Sequence, residues 1–242
     1  MTRAHRLVLT PVLLAGAAVG VVLWAHSGAV GNEVGVLATG ELAARMREHV
    51  ALCAVSTGLA VAAAVPAGVA ATRPGLRRLA PPLLFVANVG QSVPTIAVLA
   101  LAFSVTGIGF RTAVIGLWAY SLLPVLRNTV AGLAGVDPAV VEAARGMGMS
   151  PAEVLWRVEL PLAWPVILAG IRTAAVVNVG TAALATFVGA GGLGELITVG
   201  LDNQRDRILY TGAALTAVLA LAVDWAVGTL GTFTTPTRRE HS

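Results

Sequence analysis

One stretch of this chain carries residue types spaced for contact with a partner: Asp137 to Pro161, DPAVVEAARGMGMSPAEVLWRVELP. It is the longest polar, charge-bearing interval in an otherwise apolar chain, and apolar runs flank it on both sides. Asp137 followed by Pro138 reads as a helix N-cap with proline in the first turn, where its missing N–H costs nothing. Gly146 and Gly148 stop that helix, because glycine frees the backbone for a turn or a close contact. Ser150, Pro151, Ala152 and Glu153 then spell a capping box, in which serine and glutamate satisfy each other's backbone N–H groups. The expectation is two short capped helices with a glycine elbow, ending at Pro161. Such a unit does no bond chemistry. It is a stiff knob for a partner protein or, on a plainer reading, an ordinary helical hairpin.

A second set of polar groups lies inside apolar runs: Asn88, Gln91, Ser92 and Thr95 in one, Tyr120 in the next, Asn178 and Thr181 in a third. Polar groups at bilayer depth cost several kcal/mol unless they are partnered or face water. Two readings stay open for them: a path for a polar solute, or hydrogen-bonding glue between helices. Pro94 is expected to weaken the helix that carries the first four.

The elements that must position these groups are apolar helices. Hydrophobic residues make up 57% of the 242 positions, charged residues 12%, and mean hydropathy is +0.83. A soluble domain carries about 25% charged residues, so the class is an all-α integral membrane protein. Spans of about 20 residues are expected over Leu7–Ala25, His49–Ala71, Pro81–Val105, Thr112–Leu126, Leu162–Val188 and Ile208–Leu230. Leu7–Ala25 behind Arg3 and Arg6 has the length of a retained anchor, and no clean small-residue cleavage site ends it, although a signal peptide is the alternative. Gly28–Glu48 reads as an external loop ending in an interfacial helix. Gly189–Glu195 is too rich in glycine for a lipid-facing helix and should be a break tucked into protein at the outer surface. Asp202–Arg207 is the following outer loop.

All 16 basic residues are arginine. Placing them on this topology puts positions 3, 6, 73, 77, 78, 127, 145, 157, 238 and 239 inside, and 45, 47, 111, 205 and 207 outside. That excess puts both termini in the cytoplasm. Arg172, inside the fifth span, is expected to snorkel to the interface or to pair with a loop carboxylate. The net charge of +4 therefore reports topology, and nucleic-acid binding is excluded as a function class. Cys53 is alone and the four histidines are scattered, so neither a disulfide framework nor a metal site is implied. The glycine run lacks the lysine-serine ending of a phosphate loop, and no nucleophile, base and orienter converge to suggest an enzyme. A passive channel stays open as another class.

Glu142-Ala143-Ala144, then Gly148, then Val158-Glu159-Leu160-Pro161 resemble the E-A-A loop of bacterial ABC importer permeases, with valine at 158 where that family usually has isoleucine. The resemblance implies a type I importer permease fold in the cell membrane. It also implies that the loop is a coupling helix seated in a cytosolic ATPase subunit, with Glu142, Ala143, Ala144, Gly146, Gly148, Leu160 and Pro161 at that contact. ATP and magnesium would then bind the partner, and no cofactor this chain. From Glu41 to Pro236 the chain is similar to permeases of osmoprotectant importers, those for glycine betaine, choline or carnitine. Asn88–Pro94, Tyr120–Thr129, Gly146–Met149 and Gly189–Gly194 carry this likeness. Methionine-type permeases share the E-A-A pattern and a similar glycine run, so that run does not choose between solutes. The family core has five spans, which makes residues 1–40 an added anchor and external loop, 41–232 the permease domain and 233–242 a cytoplasmic tail. Implied partners are two ATPase subunits, a second permease chain, alike or a sister, and a separate extracellular or periplasmic solute-binding protein.

Overall fold

A computed structural model describes residues 3–234, all of the regular structure being helical. In chain order the helices are α1 (Arg3–Ser27), α2 (Glu33–Val36), α3 (Thr39–Thr72), α4 (Ala80–Ser92), α5 (Thr95–Thr106), α6 (Phe110–Ala134), α7 (Pro138–Gly146), α8 (Pro151–Val154), α9 (Leu160–Ala182), α10 (Leu193–Asp202) and α11 (Asp206–Thr234). The tail expected beyond residue 232, with Arg238 and Arg239, lies almost wholly outside the described residues.

Among the described residues, five helical segments are long and apolar enough to cross a membrane: Val8–Ser27, Thr39–Thr72, Phe110–Ala134, Pro151–Val188 and Asp206–Gly231. A sixth crossing exists only as a bent pair, Arg77–Ser92 with Thr95–Thr106, whose two halves meet at 97°. The apolar run from Pro81 to Val105, where Pro94 is expected to weaken the helix, is two helices with a sharp bend between them. Pro94 is the cause: it has no N–H to give, and it pushes Val93 out of the helical region, to φ −77° and ψ 131°.

At the centre of the bundle α6 packs against both α3 and α9. Small residues bring the backbones close: a side chain at Gly170 of α9 would collide with Asn128 Cβ and the Pro124 carbonyl of α6. One at Gly68 of α3 would strike Thr129 of α6. Close approach through small residues is how helices associate where lipid gives no hydrophobic drive. Leu52, Leu99, Leu117 and Val179 fill one apolar layer, and Leu133, Ala163 and Ile167 fill another toward the α7 end. Helix α1 lies on α11, with Ala25 buried among Leu37, Leu193 and Ile208. Arg207 stacks on the Trp24 ring at 4.8 Å and donates to the Trp24 carbonyl.

Further expectations shift. The interfacial helix expected before Glu48 and the span after it are one unbroken helix, α3. Its polar first turns find partners on α10, so nothing forces a break. The fourth span does not stop at Leu126 but runs to Ala134, which puts Arg127 within the helix and not at its inner end. Asn128 and Thr129 continue the helix by bonding back to the Pro124 and Val125 carbonyls. The outer loop narrows to Asn203–Arg205, because Leu193–Asp202 is helical. Arg172 pairs through both oxygens with Asp224 of α11, a helix residue and not a loop carboxylate.

Candidate functional site

The stretch from 137 to 161 folds as its local chemistry dictates. The Asp137 carboxylate accepts from the Ala139 N–H at 2.9 Å, and Pro138 opens α7. The helix closes in a Schellman arrangement: the Gly148 N–H bonds to the Arg145 carbonyl at 2.9 Å and the Met149 N–H to the Ala144 carbonyl at 3.2 Å. That closure needs a left-handed residue, and Gly148 supplies it at φ +83°. Both halves of the capping box form, the Glu153 N–H donating to Ser150 Oγ at 3.3 Å and the Ser150 N–H to Glu153 Oε2 at 3.0 Å.

Pro161 is not a terminus, which corrects the expected end of the loop. Helix α8 widens into a π-helical turn over Leu155–Glu159 and enters α9 directly. Pro161 has no N–H for the Arg157 carbonyl, and a widened turn lets the chain absorb that loss without stopping.

Three residues anchor this knob to the bundle. Ala144 and Val154 are each 2% exposed, and Glu159 is buried and paired with Arg73 at 2.6 Å. The opposite face is open. Glu142, Ala143, Gly146, Gly148, Ser150 and Pro151 are exposed, and Met147 is 72% exposed. Of the E-A-A triplet only Ala144 faces inward. Leu160 is half-buried with the layer around Ile167, and Pro161 borders an apolar groove with Pro66, Trp156 and Trp164.

The polar residues of the spans separate into two groups. Gln91 and Tyr120 come together at the α4–α5 break. Pro124 leaves the Tyr120 carbonyl without its helical donor, and the Gln91 amide donates to it at 3.0 Å. The Tyr120 hydroxyl reaches the Gln91 and Val93 carbonyls, at 3.2 and 2.9 Å, where α4 ends. Asn88 and Ser92 are exposed on α4, which has no buried residue, and Thr95 is buried at the start of α5. Gln91 also borders a cavity of about 420 Å³ with Leu123, Pro124, Arg127, Asn128 and Thr173.

Asn178 and Thr181 lie elsewhere, on α9. Asn178 is 1% exposed and donates to Ser56 Oγ at 2.6 Å and Thr57 Oγ1 at 2.9 Å. Its side chain joins α9 to α3. The Thr181 hydroxyl bonds back to the Val177 carbonyl.

A cluster that sequence reasoning missed sits at the far end of α3. Glu48 accepts from the Gly192 N–H at 2.9 Å, and Arg45 bridges Glu48 and Glu195. His49 accepts the Leu193 N–H at Nδ1, 3.2 Å, and its Nε2–H donates to the Val179 carbonyl at 2.9 Å. The partners are some 145 residues apart in sequence, and no spacing signal links them. The Arg73–Glu159 pair was equally hidden, since Arg73 reads in the sequence only as a topology charge.

The helix arrangement and the exposed capped loop define a membrane permease of the ABC importer type. A chain of the MetNI methionine ABC transporter, in an inward-facing conformation, superposes with a TM-score of 0.70 and 25% identity over 81% of this chain and 96% of that one. An amino acid ABC transporter solved with histidines has the same fold, with a TM-score of 0.68 and 19% identity over 85% of this chain. The chain belongs to the family of binding-protein-dependent transport system inner membrane components, whose family model matches residues 64–232. Among its relatives, the choline transport system permease protein OpuBB of Bacillus subtilis is 40% identical over 78% of this chain and 86% of its own length. The osmoprotectant import permease protein OsmY of Salmonella typhimurium is 42% identical over 76% and 78%. The glycine betaine/carnitine/choline transport system permease protein OpuCB of Bacillus subtilis is 37% identical over 81% and 90%. The protein is thus a transport permease of the inner membrane and not an enzyme, and ATP hydrolysis resides in a separate subunit.

Proposed function

We propose that this permease moves compatible solutes, glycine betaine, choline, carnitine or a close analogue, and that residues 137–161 seat in the cleft of a cytosolic ATPase. The observation that carries the docking reading is the pairing of an open outer face, Met147 at its tip, with buried anchors at Ala144, Val154 and Glu159. A knob fixed to the bundle on one side and bare on the other passes a push from a partner into the spans. The solute class rests on relatives at 37–42% identity, all named for osmoprotectant, choline or carnitine transport.

In this reading two permease chains sit above two ATPase subunits, which bind ATP and magnesium. The exposed face of α4, with Asn88 and Ser92, meets the second permease chain. Gln91, Arg127 and Asn128 border the solute's route, and a separate binding protein delivers solute on the other side. Both termini face the cytoplasm. Helix α1 is a retained anchor in this reading, which the packing of Ala25 and Trp24 against α10 and α11 supports.

The test is uptake of labelled glycine betaine, choline and methionine into proteoliposomes holding this chain, its ATPase and its binding protein. Uptake of a quaternary ammonium that needs all three components supports the reading. Coupled hydrolysis that moves methionine alone would replace the solute class, and flux without the ATPase would replace the importer by a channel.

A further inference from the structure

Helix α3 is gripped at both of its ends, and by the two parts of the molecule that matter for opposite sides of the membrane. At one end Arg73 caps it. Arg73 Nε donates to the Val69 carbonyl at 3.3 Å and Nη2 to Thr72 Oγ1 at 3.0 Å, which orients the guanidinium onto Glu159 at 2.6 Å. Glu159 is 8% exposed and belongs to the last turn of the capped loop. A buried carboxylate that loses its only cation is strongly unfavourable, so the two residues must travel together when the loop moves.

At the other end, about 36 Å along the same helix at 1.5 Å per residue, Glu48 and His49 hold the glycine turn. Gly192 stands at φ +85°, and a Cβ there would lie 3.1 Å from His49 Nδ1, so the turn is moulded onto α3. Its Gly192 and Leu193 N–H groups end on side chains of α3, and Arg45 carries the same helix to Glu195 on α10. Between these grips α3 stays helical as far as Thr72, with Pro66 accommodated inside it. The chain itself also joins the loop to the turn, since residues Pro151–Val188 are continuously helical; α3 adds side-chain grips on both, Arg73 on Glu159 at one end and Glu48 and His49 on Gly192 and Leu193 at the other.

We propose that α3 is the strut that links the capped loop to the glycine turn across the membrane, with Arg73 and Glu48 as the positioning residues at its two ends. The proposal rests on the reading of 137–161 as the ATPase-coupling loop. A displacement of the loop by the ATPase pulls Glu159, Arg73 follows, and α3 delivers the shift to the Gly191–Leu193 turn through Glu48 and His49. Specificity is not involved; the strut sets how much solute moves for each ATP consumed.

The test measures solute moved per ATP hydrolysed in the three-component proteoliposomes, at matched amounts of assembled complex. Arg73→Ala and Glu48→Ala each lower this ratio at least fivefold. The double variant falls no further than the worse single one, because both cut the same link, whereas independent sites this far apart combine as the product of their effects. Arg73→Glu lowers the ratio as well, and adding Glu159→Arg restores at least half of it. Single variants at the wild-type ratio, a double variant at the product, or a reversed pair that assembles without recovery would each overturn the strut. Gly148→Asp, measured alongside, separates the two ideas. A normal ratio there sinks the coupling-loop reading itself, while a low ratio with Arg73→Ala normal keeps the loop and discards the strut.

Discussion

The capped loop at 137–161 and the glycine turn at 189–195 are both short polar interruptions between apolar helices, and both close locally on a left-handed glycine, but the balance of local and long-range bonds differs. In the loop, the capping bonds run between residues two to five apart: Asp137 to Ala139, Ala144 to Met149, Ser150 to Glu153. In the turn, local closure at Gly189, whose N–H bonds to the Thr186 carbonyl at 2.9 Å, is joined by bonds to Glu48 and His49, which are 144 residues away from Gly192 and Leu193. A locally closed unit keeps its shape while its outer face waits for a partner. A turn tied to another helix follows that helix when it moves. The difference suits one region to receiving a push and the other to registering it.

The contrast breaks most visibly at Gly148. Its φ of +83° strains any side chain whatever the space around it, and its surroundings within this chain are open. Gly148→Asp is expected to cut uptake at least tenfold with the complex still assembled, since the added charge projects from the docking face. Gly148→Ala carries only the backbone strain of about 1–2 kcal/mol and should retain a good part of uptake. Equal uptake by wild type and the aspartate variant would remove the loop from the mechanism.

Next in size is the turn. His49→Phe keeps the volume but leaves the Leu193 N–H and Val179 carbonyl without their partners, at a cost of about 2 kcal/mol. A lower thermal midpoint of the detergent-solubilised protein reads this out. An unchanged midpoint would mean that α3 does not hold the turn. The smallest effect is expected at the loop cap, where Ser150→Ala costs about 1 kcal/mol and leaves uptake close to normal. Gln91→Ala, which strips the donor from the Tyr120 carbonyl, is of similar size in stability, about 1 kcal/mol. It is expected to change solute flux more than Asn178→Ala does, because Gln91 borders the cavity and Asn178 is sealed between α3 and α9. The reverse order would exchange their roles.

What could be read in advance follows the same division. The caps at Asp137 and Ser150, the elbow at Gly148 and the weak point at Pro94 are local, and each stands where its residue types require. The six apolar runs were legible because burying backbone in lipid demands long helices. Long-range pairing was not. Arg73 and Arg172 looked alike as interfacial charges, but one reaches Glu159 and the other Asp224, and only the packing decides which. The reach of α3 was hidden for the same reason, since the residues that seemed to end it, Arg45 and Glu48, are accommodated by partners on α10 and the turn. Helix α6 extends past Arg127, which is exposed and borders a cavity, a feature with no counterpart in local sequence.

The central claim is that the face around Met147 meets the ATPase while the glycine turn does not. Single cysteines at Met147 and at Phe187, which are 72% and 60% exposed at opposite ends of the fold, can be placed in a Cys53→Ala background and treated with a short photoactivatable thiol cross-linker in the assembled transporter. The account predicts a cross-link to the ATPase subunit from position 147, changed in yield by ATP, and none from position 187. No product at 147 in an assembled complex, or equal products at both positions, would contradict it.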